Sequence, residues 1–428
     1  MKYVILIGDG MADRPVEALQ GRTPLAAAHT PKMDRLAREG VCGAASTLPD
    51  GLPGGSDVAN LGILGYDPAR YYTGRAPLEA ASMGVALGSE DLAFRCNLVT
   101  LKFSREGTRA CMEDYSAGQI SSDEGRILIG DLDRELGSGK VRFYPGVSYR
   151  HLMVLKGGKN GASGSQAPGA NAGANFGGSG LECTPPHDIL GREISEYLPQ
   201  GEGDHIIRDL MRASVEILSR HPVNSRRLAD GKRPANSIWL WGQGVKPEMP
   251  PFRELYGCSG AMVSAVDLTK GLAVSAGLKV MDVPGATGWL DTNYAGKAQY
   301  AMKALEGGAD LVYVHVEAPD EASHEGSLEH KIKAIEDFDA FIAGAIMKEM
   351  ESKKFGRFRV LLMPDHATPL SLRTHSREPV PFVIYDSGFP PDRRVADCYE
   401  ESIVGREGII RLPAHKIMGR LLEPPERM

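Results

Sequence analysis

The sequence predicts an α/β protein. A doubly wound, mainly parallel sheet is assembled from both ends of the chain, and a smaller α+β domain is inserted between them. Three observations carry this reading. Continuous apolar runs, Tyr3 to Ile7, Leu311 to Val316 and Val360 to Met363, stand near the two ends, and unbroken runs of this kind are strands buried on both faces. A strong helical pattern fills the interval between the last two. The middle, from about 85 to 255, instead mixes short strand patterns with one helix over Asp204 to Arg220. The core is therefore assigned to 1–84 and 256–428, and the insert to 85–255. A chain of 428 residues accommodates two to three domains at roughly 150 residues each.

Taken in order, the first strand is stopped by Gly8-Asp9-Gly10. Thr30 suits an N-cap, Pro31 the first helical position and Gly40 the stop, which makes the opening forty residues a βαβ unit. Stretches of about 259 to 277 and 292 to 306 read as helices. From Ser327 onward, Leu328, Ile332, Ile335, Phe338, Ile342, Ile346 and Met350 recur in steps of three and four, one face of a single helix. Ser327 can cap it, and Lys348, Lys353 and Lys354 suit its C-terminal end. The glycine-rich stretch from 157 to 180 has almost nothing large to bury and reads as a mobile loop. It lacks the GxxxxGK[ST] pattern of a phosphate-binding loop.

Composition narrows the function. With 49 basic and 55 acidic residues the net charge is −6, which gives no footprint for nucleic-acid binding. No stretch approaches the ~18 apolar residues of a membrane helix, and the opening apolar run is too short for an export signal. The chain is expected to be cytoplasmic. Six scattered cysteines, with no CxxC pair, are expected to be reduced thiols.

The chemistry gathers at strand ends. The first run ends at Asp9, the second in Glu317 to His324 with Asp320 and His324 four apart, and the third in Asp365-His366 with His375 soon after. In an open parallel sheet, ligands sit outside the carboxyl ends of the strands, so all three clusters should reach one edge. Carboxylate and imidazole without thiolate suit Mn²⁺ or Zn²⁺. Strand alternation would point Asp365 and His366 apart, so their joint use requires irregular backbone. His315, inside a strand, and His330, on a helix face, are assigned structural or solvated places. Gly54-Gly55-Ser56-Asp57 can turn sharply into a helix, where Ser56 is either a cap or a nucleophile in a field that favours anions. No general base stands nearby in the sequence, so a metal ion is the alternative activator.

These pieces, Gly8-Asp9-Gly10, the Ser56 segment, Asp320-x-x-x-His324, Asp365-His366 and His375, resemble the alkaline phosphatase superfamily. Within it they resemble the cofactor-independent phosphoglycerate mutases of the shorter, archaeal-type branch. Thr73 to Ala80, Asp114 to Gly118, Tyr149-Arg150-His151 and Thr184 to Asp188 match that branch too. The resemblance implies an alkaline-phosphatase-like core and two divalent metal ions, Mn²⁺ or Zn²⁺ first, with Mg²⁺ or Co²⁺ as further options. It places Asp320, His324 and His375 around one ion, and Asp9, Asp365, His366 and Ser56 around the other. It implies interconversion of 3- and 2-phosphoglycerate through a phosphoserine on Ser56, with the insert closing over the substrate. Motifs of the longer bacterial mutases are absent from the insert. Arg75, Arg150 and His151 are the candidates for binding the small phosphorylated acid, because guanidinium suits carboxylate and phosphate. Asn236 to Gly244 resembles a sub-branch proposed to act as homoserine kinases. A homoserine kinase-like phosphotransferase, or a metal-dependent phosphatase, is the alternative. A homo-oligomer is compatible with the sequence.

Overall fold

The computed structural model describes residues 1–158, 180–352, 355–388 and 395–423. The body of the glycine-rich stretch, with Lys353 and Lys354, lies outside the described residues. In chain order the strands are β1 (Lys2–Gly8), β2 (Val41–Ser46), β3 (Leu92–Phe103), β4 (Ala110–Asp114), β5 (Val141–Val147), β6 (Arg150–Leu155), β7 (Ser237–Val245), β8 (Gly260–Val263), β9 (Lys279–Val280), β10 (Leu311–Val316), β11 (Phe358–Met363), β12 (Val380–Asp386) and β13 (Ile410–Pro413). They form two separate sheets in two compact units, one of 1–72 and 248–428 and one of 73–247. The division falls before the expected 85 and 255; at the first crossing the helix Ala76–Ser82 packs on strands of the insert.

The first unit holds a sheet in the order β13-β2-β12-β11-β1-β10-β8-β9. Its pairs are parallel except those made by β12. Val4, Leu6, Val312, Val314, Val360 and Leu362 join one large apolar cluster, while Ile5, Ile7, Tyr313, Leu361 and Met363 are equally buried. Both faces are covered, as unbroken apolar runs require. Gly8 pairs with Val316 and Ile7 with Met363, so β1, β10 and β11 end together.

Several local expectations are corrected by tertiary context. β2 follows the helix Pro31–Glu39 but is separated from β1 by β11 and β12, so the opening segment is not a neighbouring βαβ pair. The stretch read as one helix over 259–277 is β8 followed by a helix over Asp267–Ser275. A four-residue apolar run fits either state, and parallel pairing with β10 decided it. Thr30 makes no side-chain cap. The first N–H groups of Pro31–Glu39 are met instead by Asp339, whose Oδ1 accepts from Lys32 N at 3.0 Å and Met33 N at 2.7 Å. Asp339 reaches them because the long helix from Leu328 contains a π-helical segment over Phe338–Ala343 before resuming at Gly344. Ser327 does cap it, accepting from His330 N. Gly40 ends the helix Pro31–Glu39 in extended conformation, φ −118°. It is glycine because a Cβ would stand 2.5 Å from Val383 Cγ1.

The second unit is an antiparallel sheet, with β3 paired to β4, β6 and β7, and β6 to β5. Helices over Ser122–Leu136 and Asp204–Leu218 contribute to its own apolar core with Trp239 and Trp241. All six cysteines are free thiols, Cys42 and Cys96 buried and Cys398 exposed. Among the described residues no helix is long and apolar enough to cross a membrane.

Candidate functional site

Asp9 directly follows β1, and β11 ends two residues before Asp365. After β10, Glu317 leads into a short helix, Ala318–Glu325, where Asp320 and His324 share a face at i and i+4. The backbone bends at Asp365 and His366, which lets both side chains serve one place. Gly10 lies in left-handed backbone, φ 59°, and a Cβ there would meet Asp320 Oδ1 at 2.5 Å and Thr368 Oγ1 at 2.6 Å. Its glycine is thus set by close approach of three loops, with Gly10 N donating to Asp365 Oδ1 at 3.1 Å.

The expected residues converge. His324 Nε2 is 3.1 Å and His375 Nε2 3.6 Å from Asp320 oxygens, and the two rings' Nε2 atoms are 3.2 Å apart. His366 Nε2 is 3.5 Å from Asp9 Oδ1, 3.5 Å from Asp365 Oδ2 and 3.1 Å from Ser56 Oγ. Two donors each ~2.1 Å from one ion stand about 3.0–3.5 Å apart, so these separations fit shared cations.

The ring orientations fit too. His324 Nδ1 donates to Arg373 O at 2.9 Å and His375 Nδ1 to Gly54 O at 2.8 Å. Thr368 Oγ1 donates to Asp320 Oδ1 at 2.6 Å and so accepts from His366 Nδ1 at 3.1 Å. Each ring spends its Nδ1 proton outward and turns the Nε2 lone pair inward, the orientation of metal-facing histidine. Asp9 Oδ1 is buried without a hydrogen-bond partner among the described residues.

The electrostatics show the same demand for positive charge. Burial, then Asp365 and Asp320, push the Asp9 carboxyl well above its ordinary range. Burial would also raise Asp320, but the His324 and His375 rings against it outweigh that effect and hold it well below. The Asp320 contact lifts His324 to about 9. Burial, reinforced by His375, lowers His366 to about 4. Three carboxylates and three imidazoles without thiolate suit Mn²⁺ or Zn²⁺.

Ser56 opens the helix Ser56–Ile63, but Gly55 is the residue at the cap position. The Ser56 hydroxyl is directed at His366 Nε2, 3.1 Å away. Sequence reasoning missed three partners. Asn60, one turn on, donates to Ser56 O and Asp365 Oδ2, both at 2.8 Å, with its amide oriented by Tyr313. Thr368 bridges the Asp320 and His366 groups. His315, given a structural place from its position inside a strand, has Nε2 3.4 Å from Asp9 Oδ2 and 3.8 Å from Asp365 Oδ2. Its place two residues before the Glu317 cluster, in the same register as Ile7 beside Asp9, was the available signal. His330 is half-buried against Glu325, apart from the site.

The remaining candidates lie in the second unit. Arg75 precedes the helix Ala76–Ser82, and Arg150 is exposed with its guanidinium 5.3 Å from the Tyr149 ring. Arg95, not anticipated, is buried beside Glu79 at 3.0 Å and over the Trp241 ring, and both Arg75 and Arg150 are near enough to oppose its charge. His151 departs from expectation. It is 1% exposed, accepts from Gly146 N at 2.9 Å through Nδ1, and turns Nε2 toward Gly125 in the interior. Alternation along β6 put Arg150 outside and His151 inside, away from any solvent-borne ligand.

Residues 37–224 match the family model described as 2,3-bisphosphoglycerate-independent phosphoglycerate mutase. A Methanosarcina barkeri protein of that name is 53% identical over 423 residues, covering 99% of this chain and all of the relative. A Geobacter sulfurreducens protein named as a probable member is 52% identical, with coverage of 99% and 100%. A Pyrococcus horikoshii protein of known structure superposes with a TM-score of 0.78 at 28% identity, covering 98% of this chain and 96% of that one. The cofactor-independent phosphoglycerate mutase of Thermoplasma acidophilum gives 0.62 at 26% identity, with 99% of both chains covered. With the Asp, His and Ser groups gathered at one sheet edge and relatives more than half identical along nearly its whole length, this chain belongs to the 2,3-bisphosphoglycerate-independent phosphoglycerate mutase family.

Proposed function

We propose that the protein interconverts 3-phosphoglycerate and 2-phosphoglycerate through a phosphoserine on Ser56. The supporting observation is the Ser56 hydroxyl itself. It heads a helix without capping it and stands 3.1 Å from His366 Nε2, beside the Asp9–Asp365 pair. A nucleophile placed there enters a field of helix N–H groups that favours a phosphoryl group.

The ligand groups would be Asp320, His324 and His375 on one side, and Asp9, Asp365, His366 and Ser56 on the other. Two divalent ions held there would neutralise phosphoryl charge and lower the pKa of the serine hydroxyl. Ser56 Oγ attacks phosphorus while the bond to the substrate's C3 oxygen breaks. The proton that Ser56 loses equals the one the departing hydroxyl gains. The return step delivers the phosphoryl group to the C2 hydroxyl and restores Ser56, so the sum is an isomerisation. Asn60 holds the Ser56 carbonyl to Asp365 and thereby keeps the nucleophile in register with the acidic edge. Arg75 and Arg150 are proposed to bind the substrate's carboxylate or phosphate, on guanidinium chemistry alone.

Ser56→Ala tests the reading. Loss of a covalent nucleophile commonly lowers rate on the order of 10⁴-fold or more, whereas loss of a cap costs about 1 kcal/mol of stability and little activity. Mass spectrometry of protein quenched with 3-phosphoglycerate should find phosphate on the peptide carrying Ser56. Normal turnover by the alanine variant would refute the covalent route.

A further inference from the structure

We propose that His315 is a fourth imidazole of the metal centre, facing the Asp9–Asp365 pair and held there by the buried Lys297–Glu317 ion pair. The proposal rests on the metal-dependent reading above and adds a ligand that neither the motifs nor that reading includes.

His315 presents Nε2 to the acidic edge as the other three rings do. It is fully buried at the end of β10, so no solvent competes for either nitrogen. Nε2 points to Asp9 Oδ2 and Asp365 Oδ2 at 3.4 and 3.8 Å. Those separations match His366 Nε2 to the same two carboxylates, 3.5 Å each. His315 and His366 therefore flank one carboxylate pair, and Asp9, His315 and Asp365 offer ligand atoms all within 4.8 Å of one another. On the outward side, Nδ1 of His315 is 3.3 Å from Glu317 Oε1. This is a charge contact rather than an aligned hydrogen bond, and it favours the Nδ1–H tautomer, which leaves the lone pair on Nε2; Asn60 Nδ2 also approaches that nitrogen, at 3.4 Å, and a bound cation would compete with it.

Glu317 is fixed from all sides. Its Oε1 accepts from Ser264 Oγ and Ala265 N, both at 2.8 Å, and its Oε2 faces Lys297. Lys297 Nζ also donates to the His315 backbone carbonyl at 3.0 Å, tying the ammonium to the strand that carries the ring. Both side chains are almost wholly buried. A buried ion pair of this kind contributes little net stability, because desolvation offsets the attraction. A carboxylate behind a ligand histidine has a specific use: it orients the ring and raises its basicity. Lys297 supplies the compensating charge, so Glu317 can stand behind His315 without adding a fourth net negative charge to the Asp9, Asp320 and Asp365 cluster.

The test uses full-length protein stripped of metal and titrated with MnCl₂ by calorimetry, beside His315→Gln and Glu317→Gln. Melting temperatures verify that each variant is folded. Wild type should show two binding events. In His315→Gln one of them should weaken by at least about tenfold while the other is unchanged, and Glu317→Gln should weaken the same event by about 10–100-fold. Pulsed electron spin resonance of Mn²⁺ in wild-type protein with ¹⁵N-labelled histidine requires no variant. It should count four coupled imidazoles over the two ions. Two normal events in a folded His315→Gln protein, or three imidazoles in wild type, would overturn the proposal and leave the metal-dependent reading standing. Absence of any Mn²⁺ binding by wild type would overturn that reading, and this proposal with it.

Discussion

Replacing Thr368 by valine removes one hydroxyl at nearly constant volume, so no cavity accompanies the change. That hydroxyl accepts from His366 Nδ1 at 3.1 Å and donates to Asp320 Oδ1 at 2.6 Å. It links the Asp320 group to the His366 group through a single atom. Its removal takes a hydrogen bond from a buried carboxylate, about 1.5–3 kcal/mol, and leaves the His366 ring without the partner that sets its tautomer. At about 1.4 kcal/mol per factor of ten, the first loss alone predicts a decrease of about 10- to 150-fold. That agrees with the ~10–100-fold typical of residues standing behind metal ligands. The expected outcome is a drop of that size in 3-phosphoglycerate conversion at limiting Mn²⁺, partly restored by excess metal because every ligand remains. The assay is a coupled rate measurement across a metal titration, with thermal melting as the control for folding. Activity within about threefold of wild type at every metal concentration, less than one such hydrogen bond is worth, would refute the reasoning.

Other consequences follow from buried charge. Lys331 Nζ binds Asp13 Oδ2 at 2.8 Å and the carbonyls of Thr368 and Ala12 at 2.9 and 3.2 Å, all buried. Lys331→Met strands the Asp13 carboxylate and should lower stability by roughly 3–5 kcal/mol; an unchanged urea midpoint would contradict it. His151 is pushed by burial from 6.5 to about 3. A base with a depressed folded pKa is bound by protons more readily when unfolded, so stability falls as pH drops from about 6.5 toward 3, by on the order of 1.4 kcal/mol per unit. His151→Gln, which keeps an acceptor for Gly146 N, should flatten that acid limb in melting curves taken across pH. Identical acid limbs would show that the ring is solvated instead. Ser56→Ala should lose turnover and keep its melting temperature within a few degrees, since Gly55 holds the cap position and the hydroxyl is directed at His366.

What the sequence by itself determined is the strand core and the acidic edge. Tyr3 to Ile7, Leu311 to Val316 and Val360 to Met363 could be read because a strand buried on both faces has no polar alternation to confuse it, and a parallel sheet then obliges Asp9, Asp320 and Asp365 to meet. Only the tertiary structure decided how neighbouring groups share that edge. Local pattern left the neighbours of His315 and the burial along the helix from Leu328 undecided. His315 proved to face Asp9 across strands 300 residues apart in sequence, and in the helix from Leu328 it is Lys331, not Ile332, that is fully buried. Thr30 lost its capping role to Asp339, which a π-helical segment carried to the same N–H groups. Alternation along β6 likewise separated Arg150 from His151, adjacent in sequence and opposite in exposure. The physical reason is common to these cases. Hydrophobic period is a property of the chain and is written locally, whereas the partner of a buried polar atom is chosen by whatever the fold brings within about 3 Å of it.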